Sequence, residues 1–465
     1  MPEKKLLTDI EKNSEAWENL LVLADDIGVR VAGGEGEIRA RDFLLQTFER
    51  YELDDVRLEP FQHRAWQAKR EELVITSEDD RPLACRCSAL SPSTPQEGLQ
   101  GEVVFLKRCD EKELAAHADE VRGRIVAAPY YPVARQLKTP LAARYGASAL
   151  LEYRSFSGQL QPARTCAFQQ LGELPVGSIS LEDAEYLKRL QQRRGPVQLR
   201  LTLDSHIESK DSWNVVGQLT GADKPHEILV TGGHYDSWHV GPGATDNASG
   251  VVAVVEAARA LAGVRQHLKR TVRFVAFGVE ESGLVGSWAY VHQHKDELDD
   301  TILMINNDVG GRPSRLAIAG AEDLVPSMEE IAQRVQIKDL QQPFAVDCGI
   351  PSWGSDHFPF FAEGVPTLGV GGETVNPDAH LYGHTRADTA DKVYPRGLSE
   401  AAAVNAQVLL AVANADERPA RRRTQQELEQ SFAGTHLQEA LALVGMWPPQ
   451  EVKNRYFDIE NSPLA

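Results

Sequence analysis

His234, Asp236 and Asp246 fall together in ILVTGGHYDSWHVGPGATDNASG (residues 228–250), a stretch dense in cation-binding groups and in glycine. Imidazole and carboxylate donors delivered from a stiff frame suit zinc, and a strand end opening onto a glycine loop lets such side chains converge without Cβ obstruction. His234 is the first candidate ligand. Asp236, two residues on, lies on the same side of an extended chain and can accept the other ring N–H of His234, fixing its tautomer. Asp246 stands at the mouth of a helix predicted from Ala248, where one carboxylate could bridge two metals. Each residue alone has a plainer explanation, His234 as a core histidine and Asp246 as a helix N-cap, so the reading requires further donors.

Those donors occur at the ends of later apolar runs. TVRFVAFG (271–278) leads into VEESG with Glu280 and Glu281, and TILMINND (301–308) ends in Asp308, followed by Gly310 and Gly311. Adjacent carboxylates on an extended or turning chain point in different directions, so one can bind metal while its neighbour faces a reacting water. GSDHFPF contributes Asp356 and His357, and AHLYGHTRADTADK contributes His380, Tyr382, His384, Asp388 and Asp391. His357 and His380 equally suit a surface role, since their surroundings do not meet the tests of a metal site.

What must position these groups is an alternation of strand and helix from Trp213 onward. Strands at 228–234, 271–278, 301–308 and 366–370 precede helices near 248–262, 283–295, 324–335 and 398–414. This predicts an α/β fold, a mixed sheet sandwiched by helices, with the site at the carboxyl ends of central strands. Two amphipathic helices and a strand in residues 1–74 cannot stand alone and should pack on that body as its N-terminal part. Residues 75–211 change grammar to short β-like runs (ELVIT, GEVVFL, GRIVAAPY, SALLEY, VQLRLTLD) with two helical stretches and no ligand-type cluster, so they read as an inserted, mostly β, non-catalytic module. The catalytic part is 212–414, and 415–465 is a C-terminal extension whose Trp447, Tyr456 and Phe457 should pack back on the body or meet another subunit.

A net charge of −19, from 49 basic and 68 acidic residues, argues against a nucleic-acid binder. Five dispersed cysteines without a CxxC pair indicate neither a disulfide framework nor a thiolate zinc site. No apolar run approaches membrane-spanning length and the amino-terminal stretch is charged and amphipathic, so a cytoplasmic protein with no membrane partner is expected, with a homo-oligomer open.

The series His-x-Asp…Asp, Glu-Glu and Asp at three strand ends, followed by His-Thr-x-x-Asp-Thr at 384–389, resembles the M28 family of di-zinc exopeptidases. GGHYDSWHVGPGATDNASG is particularly similar to the carboxypeptidase Q branch. The resemblance covers 213–414 and extends to the N-terminal helices; residues 75–211 are similar to a protease-associated domain. It implies two Zn²⁺ ions, His234 and Asp308 on one, Glu281 and His384 on the other, and Asp246 bridging them. It further implies Glu280 as general base toward a metal-bridging water, Asp236 as the residue orienting His234, and short peptides or dipeptides as substrates of an aminopeptidase or dipeptidase. Two departures, Gly383 before His384 and His239 at an acidic position of the branch, bear on substrate preference. Arg312, Arg315 and Arg386 lie near the motifs and could fork a substrate carboxylate or be solvated surface. A non-catalytic binding protein on the same fold, or a glutaminyl cyclase-like transferase with one zinc, are the alternatives.

Overall fold

The computed structural model describes residues 2–308, 311–337, 344–350, 352–373 and 379–457, with the backbone only at 135, 372, 373, 379 and 380. Gly310, the His380 side chain and the end of the C-terminal extension therefore lie outside the described residues.

Among them, fourteen strands join in one sheet. Its centre is Lys224–His234, flanked in parallel by Arg270–Phe277 and Thr301–Asn306; Thr367–Glu373 continues parallel to the latter, and Arg312–Ala319 then runs antiparallel. The centre forms because its runs are mostly apolar and buried at nearly every position, the pattern of strands covered on both faces. Alternation at period two separates the faces. Leu229, Phe274, Ala276, Leu303 and Ile305 enter one core, with Ser249–Ala262, Pro395–Asn414 and the N-terminal helices. Val230, Val275, Phe277 and Met304 enter the other, with Val285–Gln293 and His357–Ala362. Leu6, Ile10, Leu20 and Leu44 lie in the first core, so the N-terminal segment packs on the later body, as its inability to stand alone requires.

Two strands of 22 residues, Asp54–Ile75 and Gln198–Leu219, pair antiparallel along nearly their whole length. One end of this ribbon joins the central sheet through Arg270–Phe277, and the other joins Leu99–Phe105. Beyond it, Ile125–Pro129, Ala149–Tyr153 and Val176–Ser178 run parallel, and helices such as Arg135–Arg144 and Leu181–Arg194 accompany them. The strand Gln198–Leu219 passes through the position 211/212 without a break, so the insert is continuous with the body's sheet where composition suggested a boundary.

The C-terminal extension packs back on the body. Tyr456 is buried and its hydroxyl donates to the Gly283 carbonyl at 2.8 Å and Phe457 stacks on His292, while Trp447 meets Phe432 edge-on within the extension. No helix among the described residues is long and apolar enough to cross a membrane.

One buried acid beside the ribbon makes stability depend on pH. Glu37, fully buried in Glu35–Arg50, accepts hydrogen bonds from the Ser212 hydroxyl and, at 2.5 Å, from the Gly33 N–H. Burial pushes its carboxyl up to about 7 from 4.5, against those two bonds. Between these values the native chain holds a proton that the unfolded chain has released, so stability falls as pH rises through that window. Glu37→Gln, neutral at all pH, is expected to raise the melting temperature at pH 8, with a gain of up to about 3 kcal/mol, and to give no gain at pH 4. Equal shifts at both pH values in parallel melting curves would refute the assignment.

Candidate metal centre

His234 is the last residue of the central strand, paired across from Phe277, and Glu280 and Glu281 follow that neighbour three and four residues on. Asp308 follows Thr301–Asn306 on the other side, so three chain segments reach one sheet edge together. Tight backbone approach makes this possible: a Cβ on Gly233 would meet the Asn307 carbonyl oxygen at 2.4 Å, and one on Gly250 would meet the same oxygen at 2.2 Å. After Phe277 the chain turns at Val279, whose φ of 57° is rarely adopted by a β-branched residue. That turn presents the N–H groups of Glu280 and Glu281 to Asp236, which accepts them at 3.0 and 3.3 Å.

The candidate ligands converge. His234 Nε2 lies 3.3 Å from Asp246 Oδ1, 3.6 Å from Asp308 Oδ1 and 3.9 Å from Glu280 Oε2. His384 Nε2 lies 2.9 Å from Asp246 Oδ2 and 3.3 Å from Glu281 Oε2. Two triads, His234/Glu280/Asp308 and Asp246/Glu281/His384, each bring one ligand atom per residue within 4.8 Å of the others. Donors about 2.0–2.1 Å from a tetrahedral zinc stand about 3.3 Å apart, so the spacing fits. So does the lack of partners among the described residues: His234 Nε2, Glu281 Oε1 and Asp308 Oδ1 are buried and accept or donate no hydrogen bond there. A buried polar atom left unsatisfied is costly, and a shared cation removes that cost for all three. The Asp308 and Asp246 side chains remain 20% and 15% exposed, which leaves the edge of the cluster open to solvent.

Charge in the cluster is lopsided without a cation. Burial pushes Glu280 well above the carboxylate range, aided by Asp308 and Asp356 and opposed by His234; burial likewise raises Glu281, with Asp246 and Glu280 adding to it. Asp246 is held well below its usual value, because the His384 and His234 imidazoles outweigh its burial. A divalent cation would be the largest local charge and would let these acids ionise together.

Several supports were not evident from the motifs. Asp388 accepts from the Thr245 N–H at 2.8 Å, the Thr245 hydroxyl at 2.6 Å and the Asp246 N–H at 3.1 Å, fixing the loop that carries Asp246. Arg30, fully buried, donates to the carbonyls of Tyr235 at 2.7 Å and Gly243 at 3.0 Å and to that of Pro242, clamping the loop between His234 and Asp246. Burial pulls its guanidinium down to about 10, which leaves it charged at neutral pH. Tyr130 and Ala163, in the insert, contact His384 Nδ1 at 2.9 and 3.2 Å. An arginine 204 residues before His234 or a tyrosine in a β-rich module carries no motif signal. Only Asp388 lay within a segment already singled out.

Other candidates lie elsewhere. His357 Nε2 contacts the Ser352 carbonyl oxygen at 2.9 Å, away from the ligands, and Asp356, pushed by burial up to about 7, sits behind Glu280 and Asp308 as a neighbour in charge. Asp391 pairs with Lys392. Arg312 and Arg315 pair with Glu400 and Asp347 at 2.9 and 3.3 Å, and Arg386 donates to the Gly158 carbonyl at 3.4 Å, so each is engaged outside the cluster. His239 packs its ring against Trp66 and Trp238.

Residues 214–409 match the model of peptidase family M28. The chain is 30% identical over 420 residues to carboxypeptidase Q of Pongo abelii, spanning 87% of this chain and 86% of that protein. Among solved structures, the peptidase M28 precursor of Shewanella amazonensis SB2B superposes with a TM-score of 0.79 at 25% identity, covering 90% of this chain and 97% of that one. A zinc aminopeptidase from Bacillus subtilis shares the fold, with a TM-score of 0.67 at 23% identity over 85% and 93% of the two chains.

Proposed function

Because this chain belongs to peptidase family M28 and is a metallopeptidase of that family, we propose that it is a two-zinc exopeptidase, an aminopeptidase or dipeptidase acting on short peptides. The observation that carries the two-ion reading is Asp246, whose two oxygens each address a different histidine, Oδ1 toward His234 and Oδ2 toward His384. A bridging carboxylate is placed in this way, and a helix cap is not. The N–H groups near Asp246 are met by Asp388 instead.

In this reading His234 and Asp308 hold one zinc, Glu281 and His384 the other, and Asp246 both. When bound, the ions polarise the scissile carbonyl and lower the pKa of the attacking water from 15.7 to about 7. Glu280 is the base. Its Oε2 is the farthest of the three carboxylate oxygens around His234 Nε2, beyond the tetrahedral spacing yet near enough to take a proton from a water in the cluster and return it to the leaving amine. Asp236 faces His234 Nδ1 at 3.3 Å while anchoring the Glu280 and Glu281 N–H groups, so one buried carboxylate orients a ligand and the base together. Attack from the amino end is supported by the wealth of carboxylates at the site and by the engagement of Arg312, Arg315 and Arg386 elsewhere. All five cysteines are free thiols, which suits the cytoplasmic placement we retain as part of the proposal.

Zinc content measured on the purified protein, paired with hydrolysis of free and N-acetylated dipeptides, tests this. Two ions per chain and cleavage of the free peptides alone are expected. One ion would favour the cyclase-like alternative, and two ions without hydrolysis across the panel would favour a binding protein.

A further inference from the structure

The two histidines of the cluster are held by different parts of the chain. His234 faces Asp236, a carboxylate from its own segment. His384 instead meets the insert: its Nδ1 lies 2.9 Å from the Tyr130 hydroxyl and 3.2 Å from the Ala163 carbonyl oxygen, and the Tyr130 hydroxyl donates to that same carbonyl at 3.0 Å. A carbonyl oxygen only accepts, and a hydroxyl whose proton is directed at it meets the ring nitrogen as an acceptor. Both partners therefore keep the proton on Nδ1 of His384 and leave the Nε2 lone pair directed at Asp246 and Glu281.

The insert also holds the backbone there. The Ala163 N–H donates to the His384 carbonyl at 2.8 Å, and Arg154 donates to the Gly383 carbonyl while its guanidinium stacks 4.2 Å from the centre of the Tyr130 ring. His384 has a φ of 62°, in the left-handed region that is uncommon for a residue with a Cβ, and contacts from the surroundings hold it there. Tyr130, Arg154 and Ala163 supply that hold, and all three lie in the sheet-and-loop module beyond the ribbon.

We propose that the inserted module completes the metal position formed by Glu281 and His384, with Tyr130 as the positioning residue that fixes His384, so that this ion is bound through contacts the other position does not share. The inference rests on the two-zinc reading above. His234 faces a carboxyl group and His384 a hydroxyl and a backbone carbonyl, so the Glu281/His384 position is the weaker of the two and the first to empty.

Tyr130→Phe removes the hydroxyl and retains the ring under Arg154. The zinc-loaded full chain is dialysed against graded chelator and zinc per chain is counted by elemental analysis, beside Asp236→Asn. Melting of the metal-free and zinc-loaded forms is recorded in parallel. Wild type is expected to lose its ions in two steps. In Tyr130→Phe the first step should move to about 10–100-fold lower chelator strength, the usual cost of losing an outer partner of a ligand, while the second step stays in place; Asp236→Asn should move the second. The metal-free melting temperature of Tyr130→Phe should match wild type, with only the zinc-induced rise reduced. Unchanged steps in Tyr130→Phe, or an equal fall in melting temperature with and without zinc, would overturn the role of Tyr130 while leaving two zincs standing. A single ion in wild type would overturn the two-zinc reading and this inference with it.

Discussion

Glu280→Gln is expected to keep the wild-type zinc content and lose activity, with kcat lower by about 10²–10⁴-fold, the range associated with removing a positioned general base. Glutamine matches glutamate in shape, so the turn at Val279 and the hydrogen bond from the residue 280 N–H to Asp236 should survive. What disappears is the ability to take a proton and hand it on. KM should change little, because the carboxylate acts on the reacting water and not on the bound peptide. Elemental analysis and steady-state kinetics on the same preparation read both halves of the expectation. The variant also separates two roles that the geometry permits, since Glu280 belongs to the triad with His234 and Asp308. Loss of zinc together with turnover would make Glu280 a ligand, and wild-type turnover would remove it from the mechanism.

Asp246→Ala should act on metal first. Its two oxygens serve both histidines, so its removal takes a donor from each position and leaves His234 and His384 without the carboxylate between them. Affinity for both ions is expected to fall by more than about 100-fold, beyond what loss of an outer-shell partner costs. No hydrolysis should be measurable at zinc concentrations that saturate wild type. Retention of one tightly bound ion would show that Asp246 serves a single position, and the bridging assignment would then fail. Glu281→Ala should spare the His234 position, which makes it the control for this comparison.

Much of this centre could be read along the chain because its donors sit at positions that local patterns mark. An apolar run followed by glycine or by paired acids locates a strand end, and His234, Glu280, Glu281 and Asp308 each follow such a run. The ribbon was harder to read. DVRLEPFQ and ELVIT look like separate strands, yet Asp54–Ile75 is continuous. Its middle, residues 63–66, carries His63 and Arg64 yet is buried at every position, so no alternation of apolar and polar residues marks it as strand. The insert's role at His384 left no trace for a related reason. Tyr130 and Ala163 act through a hydroxyl and a backbone carbonyl, and any residue offers the latter.

The order and chemical type of the donors, the alternation of strand and helix, and the edge of the sheet at which the donors meet were determined by the sequence alone, because each depends on residues within a few positions of one another. Tertiary structure decided which oxygen faces which imidazole, that Arg30 and Asp388 brace the loop bearing Asp246, and that His384 is steadied from the far side of the ribbon. Apart from the pair His234–Asp246, those relations join residues more than a hundred positions apart. Periodicity and spacing carry no record of such pairs, and only the closing of the sheet brings them within hydrogen-bonding distance.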